Sequence, residues 1–143
     1  MADECEFPKE NATSEEIAEI LQHSKTIAVI GASLKPERPS HWISVYLKEQ
    51  GYKVIPVNPG LKEVLGDKCY KSLSEIPEPV DIVDIFREPG AVPAIVDEAI
   101  AKKAKVIWMQ QGIVHNEAAA KAKAAGLKVI QNKCIYQEHA RLE

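Results

Sequence analysis

The feature that most restricts the fold is the run Thr26-Ile27-Ala28-Val29-Ile30-Gly31-Ala32-Ser33. Its unbroken apolar stretch reads as a strand buried on both faces, and such strands belong to parallel sheets with helices packed on each side. The run closes in small residues, so a tight turn follows. Next comes Leu34-Lys35-Pro36-Glu37-Arg38-Pro39-Ser40, rich in hydrogen-bonding groups, and then a helix with Ile43, Tyr46 and Leu47 turned inward. Strand, tight turn and helix N-terminus together make the element with which open parallel sheets hold phosphates.

The same alternation continues along the chain. Residues 1–12 read as a loose lead-in, and residues 13–143 as one domain. Thr13 and Glu16 fit a capping box ahead of Ile17, Ile20 and Leu21 at helical spacing. Ser40 can cap the helix after the first strand, and Gly51 can end it in a left-handed conformation. A second strand, Lys53–Val57, contains Pro56, which has no N–H for a ladder and calls for a bulge or a local edge. Ser72–Pro77 reads as one helical turn, and Asp81–Ile85 as the third strand. Val92, Ile95, Val96, Ala99 and Ile100 mark an amphipathic helix. A fourth strand spans Lys105–Met109, Asn116 can cap an alanine-rich helix, a fifth strand spans Leu127–Ile130, and a short helix is expected in the tail.

This is the pattern of a doubly wound, open parallel α/β sheet, Rossmann-like, with five main strands. Right-handed crossovers make 3-2-1-4-5 the natural strand order. In that order the loops after the first and fourth strands, Gly31 to Ser40 and Gln110 to His115, flank one crevice, with Asn58 and Phe86-Arg87 opening on the same edge. A side chain added at Gly31 would then fill the phosphate site and leave the fold intact.

Composition narrows the function. A net charge of -3 argues against general nucleic-acid binding. No apolar run approaches the length that spans a bilayer, and the acidic start Met1-Ala2-Asp3-Glu4-Cys5-Glu6 is unlike a secretory signal, so a cytoplasmic protein is expected. Cys5, Cys69 and Cys134 are too widely spaced for a disulfide framework or a metal site. Asp81 and Asp84 are three apart on a strand, so they face opposite ways and form no acid–base pair. His41 and His115 read as exposed polar residues, and Trp108 and Tyr46 as core. With no nucleophile and base in view, no catalysis by this chain alone is expected.

The turn holds one glycine where a dinucleotide fingerprint has three, and Asn58 stands where a ribose-binding carboxylate would. Neutral Asn58, with Lys35, Arg38 and Arg87, suits a nucleotide whose ribose carries a phosphate, either NADP or coenzyme A.

Longer segments carry a resemblance: Gly31-Ala32-Ser33, Arg38-Pro39-Ser40-His41, Gly51-Tyr52-Lys53-Val54-Ile55-Pro56-Val57-Asn58-Pro59, Val80-Asp81-Ile82-Val83-Asp84-Ile85-Phe86-Arg87, Trp108-Met109-Gln110 and Gly112-Ile113. These resemble the small stand-alone members of the CoA-binding Rossmann domain family, a domain found also in succinyl-CoA ligase and ADP-forming acyl-CoA ligases. The resemblance runs from about residue 15 to the end; Asn132-Lys133-Cys134 departs from the Asp-Arg-Cys often found in relatives. It implies coenzyme A as the ligand. Gly31, Ala32, Ser33, Arg38 and Ser40 would hold phosphates, Asn58, Pro59, Phe86 and Arg87 would flank the adenosine, and Gln110 would join them from the fourth-strand loop. A non-catalytic module that binds CoA or an acyl-CoA, as a carrier, a sensor or a subunit of a larger enzyme, is the leading expectation, with any protein partner unknown. An NADP-linked oxidoreductase and a protein-interaction domain with a vestigial pocket are the alternatives.

Overall fold

The computed structural model describes residues 7–142; the acidic start with Cys5, and Glu143, lie outside the described residues. The chain begins with α1 (Ser14–His23), entered through the expected capping box: Glu16 N–H donates to the Thr13 hydroxyl and Thr13 N–H to the Glu16 carboxylate. Then follow β1 (Thr26–Ile30), α2 (Pro39–Glu49), β2 (Lys53–Val57), a hairpin of β3 (Glu63–Val64) and β4 (Asp67–Lys68), and a 3-10 turn at Leu73–Glu75. The second half runs β5 (Ile82–Ile85), a 3-10 turn at Pro89–Ala91, α3 (Val92–Lys102), β6 (Val106–Met109), α4 (Asn116–Ala124), β7 (Lys128–Ile130) and α5 (Ile135–Ala140).

Five strands form one parallel sheet in the order β2-β1-β5-β6-β7. Counted over the five main strands this is 2-1-3-4-5, which corrects the expected 3-2-1-4-5. Pro56 supplies a physical reason. In the expected order the second strand lies between two neighbours, where a residue without an N–H breaks a ladder. At the edge Pro56 pairs only with Val29, and its carbonyl accepts the Tyr70 N–H at 3.0 Å. Tyr70 O in turn accepts the Asn58 N–H at 2.9 Å, so a short backbone strip covers the exposed edge.

Alternate residues of each strand feed two cores. Ile27, Val29, Ile82, Val106 and Trp108 meet α1, α2 and α5 through Leu21, Ile43, Leu47 and Ile135. Ala28, Ile30, Val83, Ile85, Ile107 and Met109 meet α3 and α4 through Val92, Val96, Ala118 and Ala122. The sequence order reverses between β1 and β5: α2 leads outward from β1 to the edge, and α3 leads from β5 toward β6. That reversal is the switch point where a parallel sheet opens a crevice.

Two caps differ from expectation. The N-cap of α2 is Arg38, Pro39 is its first residue, and Ser40 sits inside the first turn, buried, its carbonyl accepting the Ser44 hydroxyl at 2.6 Å. The N-cap of α4 is His115, whose Nδ1 accepts from Ala118 N–H at 3.1 Å. Asn116 ties part of the lead-in to the body instead, donating to Phe7 O and accepting from Lys9 N–H. Asn11 brackets the backbone of Gln131 with two bonds, of 2.9 and 3.0 Å.

Candidate functional site

The site begins at Gly31, where β1 must turn away beneath the loop leaving β5. Its φ is +95°, and a Cβ placed there would stand 2.6 Å from the Phe86 carbonyl oxygen and 3.3 Å from Arg87 Cδ. Only glycine admits both that backbone angle and that approach. This corrects the expectation that an added side chain would simply fill a phosphate site: it would meet the backbone of the neighbouring loop. It also corrects the crevice. The direct neighbour of the Gly31 turn is the Phe86-Arg87 loop, and β5 separates β1 from β6.

The turn is held from the edge strand. Gly31 and Ala32 N–H both donate to Val57 O, at 3.0 and 3.2 Å. Asn58 Nδ2 donates to Ala32 O at 2.8 Å, and Asn58 Oδ1 accepts from Gly60 N–H at 2.8 Å. His41 Nδ1 donates to Ser33 O at 2.7 Å, and the Ser33 hydroxyl accepts from Lys35 N–H at 3.1 Å. The N–H groups of Gly31 and Ala32 are therefore committed. Among the described residues those of Ser33 and Leu34 have no partner, and they lie just before the N-terminus of α2. Unpaired N–H groups beside a helix N-terminus suit an anion.

Two cavities open at this end of the sheet. The larger, about 700 Å³, is lined by seven of the expected residues: Gly31, Ser33, Arg38, Ser40, Phe86, Arg87 and Gln110. The smaller, about 330 Å³, takes Asn58 and Pro59, with Lys71 and Glu98. Gly31 and Arg87 line both. Ala32 is buried and lines neither.

Arg87 forks onto its neighbour Glu88, with Nη2 donating to Oε1 at 2.9 Å and Nε to Oε2 at 3.3 Å. The hydrogen bond from Arg87 is the first cause holding the Glu88 carboxyl below its usual range. Arg38 has no ion-pair partner among the described residues.

The far wall was not legible as part of the site. Trp42 of α2 and the α5 segment, with Cys134, Tyr136 and Gln137, complete the larger cavity. Trp42 and Tyr136 meet edge to face, ring centres 5.3 Å apart. Cys134 is half-buried there, whereas Cys69 is buried elsewhere and burial pushes its thiol up.

Asp84 was also missed. It is fully buried on β5, between Val29 and Trp108, and Gln110 Nε2 donates to its Oδ1 at 2.5 Å. Burial raises its pKa to about 8, and the Gln110 bond opposes that rise. An aspartate inside the apolar run Ile82-Val83-Asp84-Ile85 was the available signal. No cluster of metal-ligating side chains occurs among the described residues, and no helix among them is long and apolar enough to cross a membrane.

Fold and site define the class: a Rossmann-like α/β protein whose cavities open at the switch point of its parallel sheet. The chain belongs to the CoA binding domain family, which it matches over residues 25–140. It is 45% identical over 131 residues to the uncharacterized protein YneT of Bacillus subtilis, covering 92% of this chain and 97% of that one. A hypothetical protein from Pyrococcus horikoshii OT3, of known structure, superposes with a TM-score of 0.90 at 46% identity, covering 96% of each chain. The ADP-forming acetate–CoA ligase II of Archaeoglobus fulgidus is 38% identical over 87 residues, which is 59% of this chain but 13% of the ligase. Most of that enzyme therefore has no counterpart here.

Proposed function

We propose that this protein binds coenzyme A or an acyl-CoA at the β1–β5 switch point, in the cytoplasm, as a carrier, sensor or subunit module rather than a catalyst. One observation carries the reading: the unpaired Ser33 and Leu34 N–H groups lie at the same end of the sheet as the α2 N-terminus, Arg38 and Arg87, and Ser33 and both arginines line a cavity of about 700 Å³. Backbone donors and a helix N-terminus hold a diphosphate without needing a net basic protein. Family membership supports CoA as the nucleotide, and the match to an acetate–CoA ligase covers only a small part of that enzyme.

The ligand divides between the two cavities. The larger one, with Trp42, Ile43, Ile113 and Tyr136, offers apolar cover for the extended arm. The smaller one, with Asn58, Pro59 and Lys71, suits the adenosine end. Arg87 stands between them and can take a ribose phosphate by exchanging Glu88 for it, since an exposed ion pair is worth only about 0.2–1 kcal/mol. Asn58 acts by holding the turn through Ala32 O, and its second amide hydrogen can face the ligand. No acid–base pair lines the larger cavity among the described residues; its one carboxylate, Glu88, is paired with Arg87.

Titration calorimetry with CoA, dephospho-CoA, NADP and NAD tests this. Binding of CoA ahead of dephospho-CoA, and of both ahead of the dinucleotides, is expected. A preference for NADP would favour a redox role, and no heat with any of the four would favour an interaction domain with a disused pocket.

A further inference from the structure

Gln110 links two parts of the molecule that are far apart in sequence. Its Nε2 donates to Asp84 Oδ1 at 2.5 Å, and its Oε1 accepts from the Ile135 N–H at 3.3 Å. Ile135 is the first residue of α5, the segment that brings Cys134, Tyr136 and Gln137 to the cavity. Gln110 and Ile135 are both buried, so water does not readily replace either bond.

Asp84 lies just beneath the cavity floor. Along its face of β5 the next residue is Phe86, a lining residue, and across on β6 the residue beyond Trp108 is Gln110, another. Its second oxygen, Oδ2, is buried with no hydrogen-bond partner. Buried polar atoms are almost always paired, so an orphan at the centre of a sheet calls for a reason.

We propose that Asp84 is a positioning residue for the ligand cavity, holding the Gln110 amide and through it the α5 wall. The strand neighbours and buried helix residues on its face of the sheet are uncharged. The neighbouring strands present Val29 and Trp108. The buried residues of α1 are Ile17, Ile20 and Leu21; those of α2 are Ser40, Ile43, Ser44 and Leu47; that of α5 is Ile135. No charged group of these elements contributes to its titration; burial and the Gln110 amide are the causes.

Neutral Asp84 presents a carbonyl-like oxygen to Gln110 and leaves no charge in the core. Once ionised it becomes a buried anion with a single donor. The nearest relief is water, and the route to water passes Gln110 and α5 into the cavity. Ionisation therefore loosens the α5 wall and weakens whatever the wall holds. A carboxyl that only filled space would not connect solvent pH to α5.

The CoA reading supplies only the ligand for one arm of the test. The other arm needs none, because both tryptophans touch the α5 segment: Trp42 meets the Tyr136 ring, and Trp108 Nε1 donates to Lys133 O at 2.8 Å. Tryptophan emission of the ligand-free protein should change with a midpoint near pH 8, and Asp84→Asn, which keeps an oxygen for Gln110 at every pH, should be flat. Above that midpoint the wild-type affinity for CoA should fall relative to Asp84→Asn by up to about tenfold per pH unit, the slope for one linked proton. Titration of CoA itself is common to both proteins and cancels. Identical emission profiles in wild type and Asp84→Asn overturn the proposal, whatever binds. An emission step confined to wild type, with no CoA bound by either protein, keeps it and overturns the CoA reading instead. If Asp84→Asn does not fold, Gln110→Met removes the link from the other side; an unchanged step near pH 8 in that variant likewise overturns the proposal.

Discussion

Gly31→Ala tests the switch point most directly, because the structure predicts both a magnitude and an internal control. The substitution asks an L residue to hold φ near +95° and puts a Cβ 2.6 Å from the Phe86 carbonyl oxygen. The backbone angle alone costs about 1–2 kcal/mol. The close approach adds to this, since the obstacle is main chain rather than the end of a flexible side chain. Phe86 cannot retreat freely: its N–H donates to Ile30 O at 2.9 Å, so moving its peptide strains the last rung between β1 and β5. Weakening that rung adds about 0.5–1.5 kcal/mol. A total loss of about 2–4 kcal/mol is expected, which for a domain of this size lowers Tm by roughly 10 °C.

Gly51→Ala is the control. Gly51 has a nearly identical φ of +98°, but a Cβ there would meet nothing within 4 Å. It should lose only the conformational part, about 1–2 kcal/mol. Urea unfolding of the two variants then separates angle from collision. Equal losses would show that the Phe86 loop yields easily and that the approach of the two loops does not need glycine. A larger loss in Gly31→Ala should come with weaker CoA binding, because the loops that line both cavities are displaced together.

The other expectations follow from single contacts. Arg87→Ala should weaken CoA by about tenfold or more but dephospho-CoA only slightly, if its guanidinium meets the ribose phosphate; calorimetry giving equal losses would refute that contact. Glu88→Gln frees the same guanidinium and removes a repelling carboxylate, so CoA affinity should rise several-fold at low salt and less at high salt, and an unchanged affinity would refute the competition. Asn58→Ala deletes the bonds to Ala32 O and from Gly60 N–H and should cost about 1–2 kcal/mol in urea unfolding while weakening CoA; a stability loss with full binding would show that the turn keeps its shape unaided. The pH dependence of stability is set by Asp84: its pKa is raised in the folded state, so the folded protein holds a proton that the unfolded chain has lost. Stability should fall from about pH 4 to about pH 8 and level off above, by up to about 5 kcal/mol, and Asp84→Asn should remove that slope in unfolding experiments.

What was legible in the sequence was whatever a local pattern encodes. The Thr13–Glu16 capping box, the buried β1 run, the left-handed stop at Gly51 and the amphipathic α3 depend on spacing and residue type, and all stand as expected. Seven of ten candidate site residues line one cavity, because loops leaving the same end of a parallel sheet converge whatever the strand order. The order itself is a long-range choice, and the right-handedness of crossovers permits more than one answer. Pro56 held the missing information. A strand that cannot donate at its fourth residue belongs at an edge, and that edge leaves the third strand beside the first. The α5 wall had no such marker, since Cys134, Tyr136 and Gln137 are brought to the cavity by the bonds of Gln110 and Trp108 rather than by a pattern of their own.

The end of β2 also bears on how the turn is made. Backbone groups alternate along β2: the Pro56 carbonyl faces the outer edge, where it accepts from Tyr70 N–H, and the Val57 carbonyl faces β1, where it accepts two N–H groups from the turn that follows. Those two bonds fold the Gly31–Ala32 backbone toward the edge, and Asn58 locks the same segment one residue later. The turn is thereby aimed so that its next two N–H groups, on Ser33 and Leu34, are the ones left unpaired. The end of β2 thus serves both sides: Pro56 O and Asn58 N–H hold the Tyr70 strip outside, and Val57 O with the Asn58 side chain holds the turn after β1 inside. The site is a consequence of how β2 ends as much as of the glycine turn from which it starts.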